Sequence, residues 1–73
     1  MNISRDIINT STKPFLAWAM VQGQRETLEV SFHISEKAAE AGMLKLKKKM
    51  PAGMLAWGWA GITDSDRRWG MVV

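Results

Sequence analysis

Two segments of this chain are apolar on both of the faces that a β-strand would present. Residues 15–22 and residues 54–63 carry apolar side chains at both alternating sets of positions. Strands of this kind are normally covered on both sides. Helix is the competing interpretation of residues 15–22, since Ala, Leu and Met favour it, but the segment is short and ends at Gly23. In a chain of 73 residues, which is small for an independent core, covering two such strands is the main constraint on the fold.

Between these segments, the sequence predicts a second strand and a helix. Residues 27–34 alternate apolar and polar side chains, which indicates a half-buried strand joined to the first by a hairpin at residues 23–25. Ser35 is a favourable N-cap and Pro51 ends helices, so we predict a helix over residues 36–49. Small and apolar side chains share the inner face of that helix: Ala39, Gly42, Met43, Leu46 and Met50.

The two ends of the chain are less clearly patterned. Residues 64–66 read as a turn and residues 68–73 as a last strand, whereas residues 1–13 read as a flexible N-terminal arm with a short helix after Ser4. We therefore predict an α+β fold of the order β-β-α-β-β. It has a four-stranded, mainly antiparallel sheet with one helix on one face, formed by a single domain over residues 14–73.

One helix covers only one face of such a sheet, so the opposite face requires another cover. Contiguous apolar patches larger than roughly a few hundred Å² are rare on soluble monomers and usually mark contacts. Three covers fit the sequence. The arm could fold back through Ile3, Ile7 and Ile8, a second copy could pack sheet to sheet as a homodimer, or a different protein could bind. We rank the homodimer and the protein partner equally, and both above the arm.

Tryptophan is the most distinctive candidate for a binding surface, with four residues in the chain. Trp is enriched in interface hot spots, and aromatic rings also stack on nucleic-acid bases. Burial in the core is the competing interpretation of Trp57 and Trp59. The predicted partner-binding residues are Trp18, Trp57, Trp59, Arg68 and Trp69.

Basic side chains are concentrated near the end of the predicted helix. The chain has ten Lys and Arg against seven Asp and Glu, for a formal charge of +3. The predicted electrostatic patch consists of Lys45, Lys47, Lys48 and Lys49, which could contact phosphate or an acidic protein. A solvated helix end that favours the helix dipole is the competing interpretation. For Arg67 and Arg68, local pairing with Asp64 or Asp66 competes with a place in an interface.

The chain has little catalytic or metal-binding equipment. It has no Cys, and its one His, His33, reads as an ordinary strand residue. Asp64 and Asp66 lack the other ligands of a calcium loop and read as turn residues. We therefore predict no catalytic residue, no metal, no cofactor and no enzymatic activity. Because no apolar stretch is long enough for a transmembrane helix, we expect a cytoplasmic protein without a membrane partner.

Together these features predict a non-enzymatic protein-binding module. Short chains with an aromatic-rich face are common among accessory proteins of phages and other mobile elements. We therefore expect a small accessory protein that inhibits or modulates a host protein complex. The alternative is a small basic nucleic-acid-binding protein that uses an aromatic sheet face and the lysine cluster. The cluster contains Lys rather than Arg and no interleaved aromatic residue, which weakens that alternative.

Overall fold

Strands and helices follow one another along the whole chain, and two of the strands are consecutive. The computed structural model, which describes residues 1–73, has the following elements in chain order: β1 (Asn2–Ile3), α1 (Arg5–Ile8), β2 (Phe15–Val21), β3 (Gln24–His33), α2 (Glu36–Lys49), β4 (Leu55–Gly61), α3 (Asp64–Trp69) and β5 (Met71–Val72). The predicted α+β class with antiparallel strand pairing is confirmed. None of the helices combines the length and the apolar character needed to span a membrane.

The central sheet has three antiparallel strands in the order β3-β2-β4. β2 is the middle strand, with Phe15 opposite His33 of β3 on one side and opposite Gly61 of β4 on the other. This central position explains why both faces of β2 are apolar. Leu16 and Ala17, which point to opposite faces, are both fully buried. The predicted strands at residues 15–22, 27–34 and 54–63 correspond to β2, β3 and β4.

α2 occupies the predicted range and covers one face of the sheet. The Ser35 side chain accepts a hydrogen bond from the backbone N–H of Ala38 at 3.2 Å, which caps the first turn. Leu46 packs in a cluster with Ala17 and Ala19 of β2, whose small side chains let the helix approach closely. The predicted inner face of α2 is confirmed, with Ala39, Gly42 and Leu46 buried and Met43 and Met50 packed at its margin.

The C-terminal segment does not form a fourth strand of this sheet. Thr63 and Asp66 form a capping box, in which each side chain accepts from the backbone N–H of the other, at 3.1 Å and 2.8 Å. The capping box begins α3 where a turn over residues 64–66 was predicted. Gly70, with φ of 96°, ends this helix in a conformation that favours glycine. The predicted strand at residues 68–73 is therefore reduced to β5.

The first residues of the chain form packed structure instead of the predicted flexible arm. β1 pairs antiparallel with β5, with Ile3 opposite Met71. The amino group of Met1 donates to the carbonyl of Val73 at 2.9 Å, and the N–H of Val73 donates to the carbonyl of Met1 at 2.8 Å. The short helix predicted after Ser4 is confirmed as α1. A two-residue strand has no periodicity of its own, and its partner lies at the other end of the chain, so local patterns could not reveal it.

The face of the sheet opposite α2 is covered by the two ends of the chain. Ile3, Ile8 and Met71 form a core cluster with Leu16, which β2 directs to that face. We call β1, α1, α3 and β5 together the terminal layer. Among the three covers considered for this face, the N-terminal segment is present through Ile3 and Ile8, while Ile7 is 36% exposed. The C-terminal segment completes the layer.

Candidate functional site

The molecule has no pocket, and its most distinctive surface is the outer edge of β4. β4 reads Leu-Ala-Trp-Gly-Trp-Ala-Gly, without charge or proline. Soluble proteins usually protect exposed strand edges with charges, proline or bulges. β3, the other edge strand, carries Arg25, Glu26 and Glu29. The open edge of β4 therefore lacks the protection that the opposite edge of the sheet has.

The main-chain groups of four β4 residues face this open edge. At the two ends of the β2–β4 ladder, the N–H of Gln22 donates to the carbonyl of Met54 at 2.8 Å and the N–H of Ile62 donates to the carbonyl of Pro14 at 2.7 Å. Bonded and non-bonded pairs alternate along an antiparallel ladder, so the even-numbered residues of β4 bond to β2. The odd-numbered residues direct their N–H and C=O groups outward, and these are Leu55, Trp57, Trp59 and Gly61.

Trp57 and Trp59 lie on the α2 side of the sheet, beside the open edge. The register places them opposite Ala19 and Ala17, on the face that α2 covers. The cover is incomplete, because Trp57 is 45% exposed and Trp59 is 36% exposed. Each indole is thus partly packed in the chain and partly accessible to a partner. Neither full burial in the core nor full exposure on a binding surface describes this pair.

Contacts within the chain hold both indoles in place. The ring of Trp59 meets the ring of Phe15 edge to face, with centroids 6.5 Å apart and an interplanar angle of 60°. The Nζ atom of Lys47 lies 3.7 Å from the centroid of the Trp57 ring, in a cation–π contact. We call Phe15, Trp57 and Trp59 the edge patch. Each ring of the patch therefore has at least one contact within the chain.

Trp18 lies on the opposite face of the sheet, against Gly58. A Cβ atom at Gly58 would stand 3.0 Å from Nε1 of Trp18, so the absence of a side chain there makes room for the indole. Trp18 also packs against the core cluster under the terminal layer. The structure therefore gives Trp18 a packing environment and separates it from the edge patch.

Arg68 and Trp69 lie on α3 in the terminal layer. Trp69 is 71% exposed, and the carbonyl of Arg68 accepts a hydrogen bond from Nη1 of Arg5 at 3.3 Å. The five predicted partner-binding residues are thus divided among the open edge, the opposite face of the sheet and the terminal layer. Only Trp57 and Trp59 adjoin each other on one surface.

Arg67 joins α3 to the N-terminal segment. Its guanidinium donates to the carbonyls of Ile8, Ser11 and Lys13 at 3.4 Å, 2.8 Å and 3.1 Å. Local pairing with the preceding Asp residues does not occur. Sequence reasoning missed this structural role, since nothing in the local pattern indicates that the partners are carbonyls more than fifty residues away.

Helix spacing places three lysines of the predicted electrostatic patch together on α2 and turns the fourth, Lys47, to another side. Its members, Lys45, Lys47, Lys48 and Lys49, lie in the second half of α2. The Nζ atom of Lys47 contacts the Trp57 ring, whereas Lys45, Lys48 and Lys49 are exposed and stand at positions i, i+3 and i+4. Residues two apart on an α-helix point about 200° from each other, which accounts for this divergence.

The side chain of His33, the last residue of β3, packs against α2. Its Nε2 atom lies 2.7 Å from Oγ of Ser31, and its ring occupies the space that a side chain at Gly42 would need. Burial, followed by the charges of Lys13 and Lys45, lowers the pKa of His33 below its ordinary value. The neutral imidazole thus fits this position, where its surroundings contain cations and one hydroxyl. No group of three or more potential metal-ligating side chains is present in the structure.

No protein-family model, curated protein or solved structure matches this chain. The interpretation of the open edge of β4 therefore depends on the chemistry of the edge itself. That chemistry consists of outward main-chain donors and acceptors, aromatic rings beside them, and no charge on the strand that would oppose an incoming strand.

Proposed function

We propose that this protein is a non-enzymatic protein-binding module that accepts an additional β-strand at the open edge of β4. The observation that carries the proposal is the row of outward main-chain groups at Leu55, Trp57, Trp59 and Gly61, on a strand without charge. In strand addition, main-chain hydrogen bonds provide affinity and side chains beside the edge provide specificity.

The edge patch supports this proposal by placing two indoles beside the row of main-chain groups. Trp is among the residues that dominate measured interface energies. Contacts with Phe15 and Lys47 already restrain Trp59 and Trp57, so less side-chain entropy is lost when a partner strand covers them. Side chains of the incoming strand that point to the α2 side would pack against the exposed parts of these rings.

The biological role that follows from this mode of binding is modulation of another protein. A strand added to an edge covers a surface of the partner without any chemical step. That mode fits the expected role of a small phage or mobile-element accessory protein that acts on a host protein complex. The role is part of the proposal, and the open edge is the feature that supports it.

Nucleic-acid binding has weaker support from the same surface. That function would need several basic side chains beside the aromatic rings, to bind the phosphates next to stacked bases. Lys47 is the lysine in contact with the edge patch, whereas Lys45, Lys48 and Lys49 stand together on another side of α2. Phosphate-driven binding would also weaken steeply as the salt concentration rises, which gives a direct way to distinguish it.

Capture of partners from a lysate of the native host tests the proposal. The full chain and its Trp57→Ala/Trp59→Ala variant are compared as baits, before and after nuclease treatment. We expect the double substitution to reduce the captured protein by about tenfold or more, since it removes both indoles of the edge. Trp69→Ala is the matched control, because it removes a more exposed Trp from the terminal layer and should leave capture unchanged.

Far-UV circular dichroism and a thermal scan establish that each variant is folded before capture is compared. Equal capture by the wild type and the double variant would contradict binding at the edge of β4. Capture that disappears after nuclease treatment would instead identify nucleic acid as the ligand. Equal losses in the double variant and in Trp69→Ala would show that capture depends on exposed Trp in general.

A further inference from the structure

We infer that a second copy of this chain binds the open edge of β4, and that the two β4 strands pair antiparallel about a two-fold axis at Gly58. Residues 56–60 read Ala-Trp-Gly-Trp-Ala, which is the same sequence in both directions. When two identical strands pair antiparallel about the central residue, Gly meets Gly, Trp meets Trp and Ala meets Ala. The inference rests on the proposed function only in that both use the same edge.

The main-chain pattern of β4 selects this register. Pairing about Gly58 sets Trp57 of one copy opposite Trp59 of the other, and Leu55 opposite Gly61. All four are the residues whose N–H and C=O groups point outward, so each joins a hydrogen-bonded pair. A shift of one residue would place outward groups opposite inward groups. A shift of two residues would leave one end of each strand unpaired.

The side chains also fit this arrangement on both faces of the joined sheet. On the α2 side, Trp57 and Trp59 of the two copies become cross-strand neighbours, and aromatic pairs of this kind stabilise antiparallel sheets. On the other face, the β4 residues that meet their counterparts are Ala56, Gly58 and Ala60, and the Trp18 indole of each copy lies over its own Gly58. The palindrome thus matches large residues with large ones on one face and small with small on the other.

The two α2 helices have room on the joined sheet. Strands lie about 4.8 Å apart, so the two β2 strands would be separated by three such steps, or about 14 Å. α2 packs on β2 through Leu46, and a helix with its side chains is about 10–12 Å across. The helices therefore lie side by side without overlap, and the indoles of both edge patches occupy the groove between them.

Area and charge set the strength of the pairing. One strand and two half-exposed indoles from each chain make an interface below about 1,200 Å², which is the range of weak, reversible contacts. Each chain also brings Lys47 to the margin of the interface. Repulsion between these like charges is screened by salt, so self-association should strengthen with ionic strength. Binding to nucleic acid would show the opposite dependence.

Sedimentation equilibrium of the full chain tests the inference across the micromolar range, at low and at moderate salt. We expect a reversible monomer–dimer equilibrium that tightens as salt is added. Trp57→Ala/Trp59→Ala should weaken dimerisation by about tenfold or more, because it removes both aromatic cross-strand pairs. Trp69→Ala should leave the equilibrium unchanged.

Engineered cysteines test the register, since the natural chain has none. Ala56 of one copy and Ala60 of the other form a non-bonded pair, whose Cα atoms lie about 4.5 Å apart, within the range of disulfides. The variant Ala56→Cys/Ala60→Cys should therefore form a covalent dimer under mild oxidation. Ala56→Cys alone is the control, because the two substituted positions lie four residues apart along the paired strands, or about 13 Å, and should form little covalent dimer.

A wild type that stays monomeric throughout the micromolar range would overturn the inference. So would a dimer that withstands Trp57→Ala/Trp59→Ala, or one in which the single and double cysteine variants cross-link equally. The proposed function fails separately. If Trp57→Ala/Trp59→Ala does not reduce capture of host protein while the chain still dimerises in this register, the proposed function is contradicted and the dimer is not. If the double substitution reduces capture but the wild type is monomeric, the dimer is contradicted and the proposed function is not.

Discussion

The tryptophans of this small protein occupy three kinds of environment. Gly58 of β4 creates one of them, because it leaves space for the Trp18 ring. Trp18 packs where Gly58 leaves space, Trp57 and Trp59 border the open edge, and Trp69 is largely exposed on α3. A count of Trp residues therefore overstates the binding surface. The residues that matter for the proposed edge are the two that alternate with Gly58 along the strand.

Substitution of Gly58 tests whether it serves the packing of Trp18. We expect Gly58→Ala to lower the free energy of unfolding by about 1–3 kcal/mol, since the new Cβ would press on the indole. Gly61→Ala is the matched control, because its Cβ would lie 3.6 Å from Phe15 in ordinary contact, and the change should stay within about 0.5 kcal/mol. Urea denaturation at low protein concentration measures both.

A double-mutant cycle with Trp18→Phe completes this test. If the indole is the obstacle, Gly58→Ala should cost much less in the presence of the smaller ring. Equal losses in both backgrounds would show that the cost arises elsewhere in the strand. Equal stabilities of Gly58→Ala and Gly61→Ala would show that Trp18 moves aside freely.

At the scale of elements, the sequence predicted those whose signals are local. β3 is visible as strand alternation, β2 and β4 as short apolar runs, and α2 as helix periodicity between Ser35 and Pro51. α3 has a local signal as well, in the Thr63–Asp66 capping box. Alternation over residues 68–73 favoured a strand there and concealed it. β1 and β5 depend on each other across the whole chain and have no such signal.

The candidate site was predictable in composition but not in position. Trp57 and Trp59 could be named from the sequence because Trp is uncommon and favoured in interfaces. That β4 lies at an open edge follows from strand order, which alternation along one strand does not determine. Because the sequence does not determine the strand order, the predicted partner-binding residues also included Trp18 and Trp69. The fold directs these two to other surfaces.

The cap of α3 stabilises the helix through the hydroxyl of Thr63. Thr63→Ala removes the hydroxyl that accepts from the N–H of Asp66, so we expect a loss of about 1 kcal/mol in stability. Thr63→Ser keeps the hydroxyl and should remain near the wild type. Hydrogen exchange should also show earlier opening of Met71, which follows α3 in the chain and pairs with β1. Equal stabilities of the Ala and Ser variants would show that the cap contributes nothing measurable.

For the whole molecule, the fold closes by joining its two ends. The terminal amino group of Met1 bonds to Val73, and Arg67 bonds to the carbonyls of residues 8, 11 and 13. The terminal layer thereby covers the sheet face that one helix leaves open. Because that face is covered within the chain, the part of the sheet that remains open to a partner is its edge at β4.

Two neighbouring isoleucines of α1 test how much the terminal layer contributes to stability. Ile8 is fully buried and Ile7 is 36% exposed, so the pair compares the same substitution on the inner and outer sides of one short helix. We expect Ile8→Ala to cost about 2–5 kcal/mol, as for buried aliphatic residues. Ile7→Ala should cost well under half as much.

Small domains have stabilities near the lower end of about 5–15 kcal/mol, so Ile8→Ala should leave a detectable unfolded fraction at moderate urea concentration. Loss of the layer would also expose Leu16 and the neighbouring apolar face of the sheet, which predicts increased binding of a hydrophobic dye by the Ile8 variant alone. Equal effects of the two substitutions would mean that α1 does not pack on the sheet. The second face would then again need a cover from outside the chain.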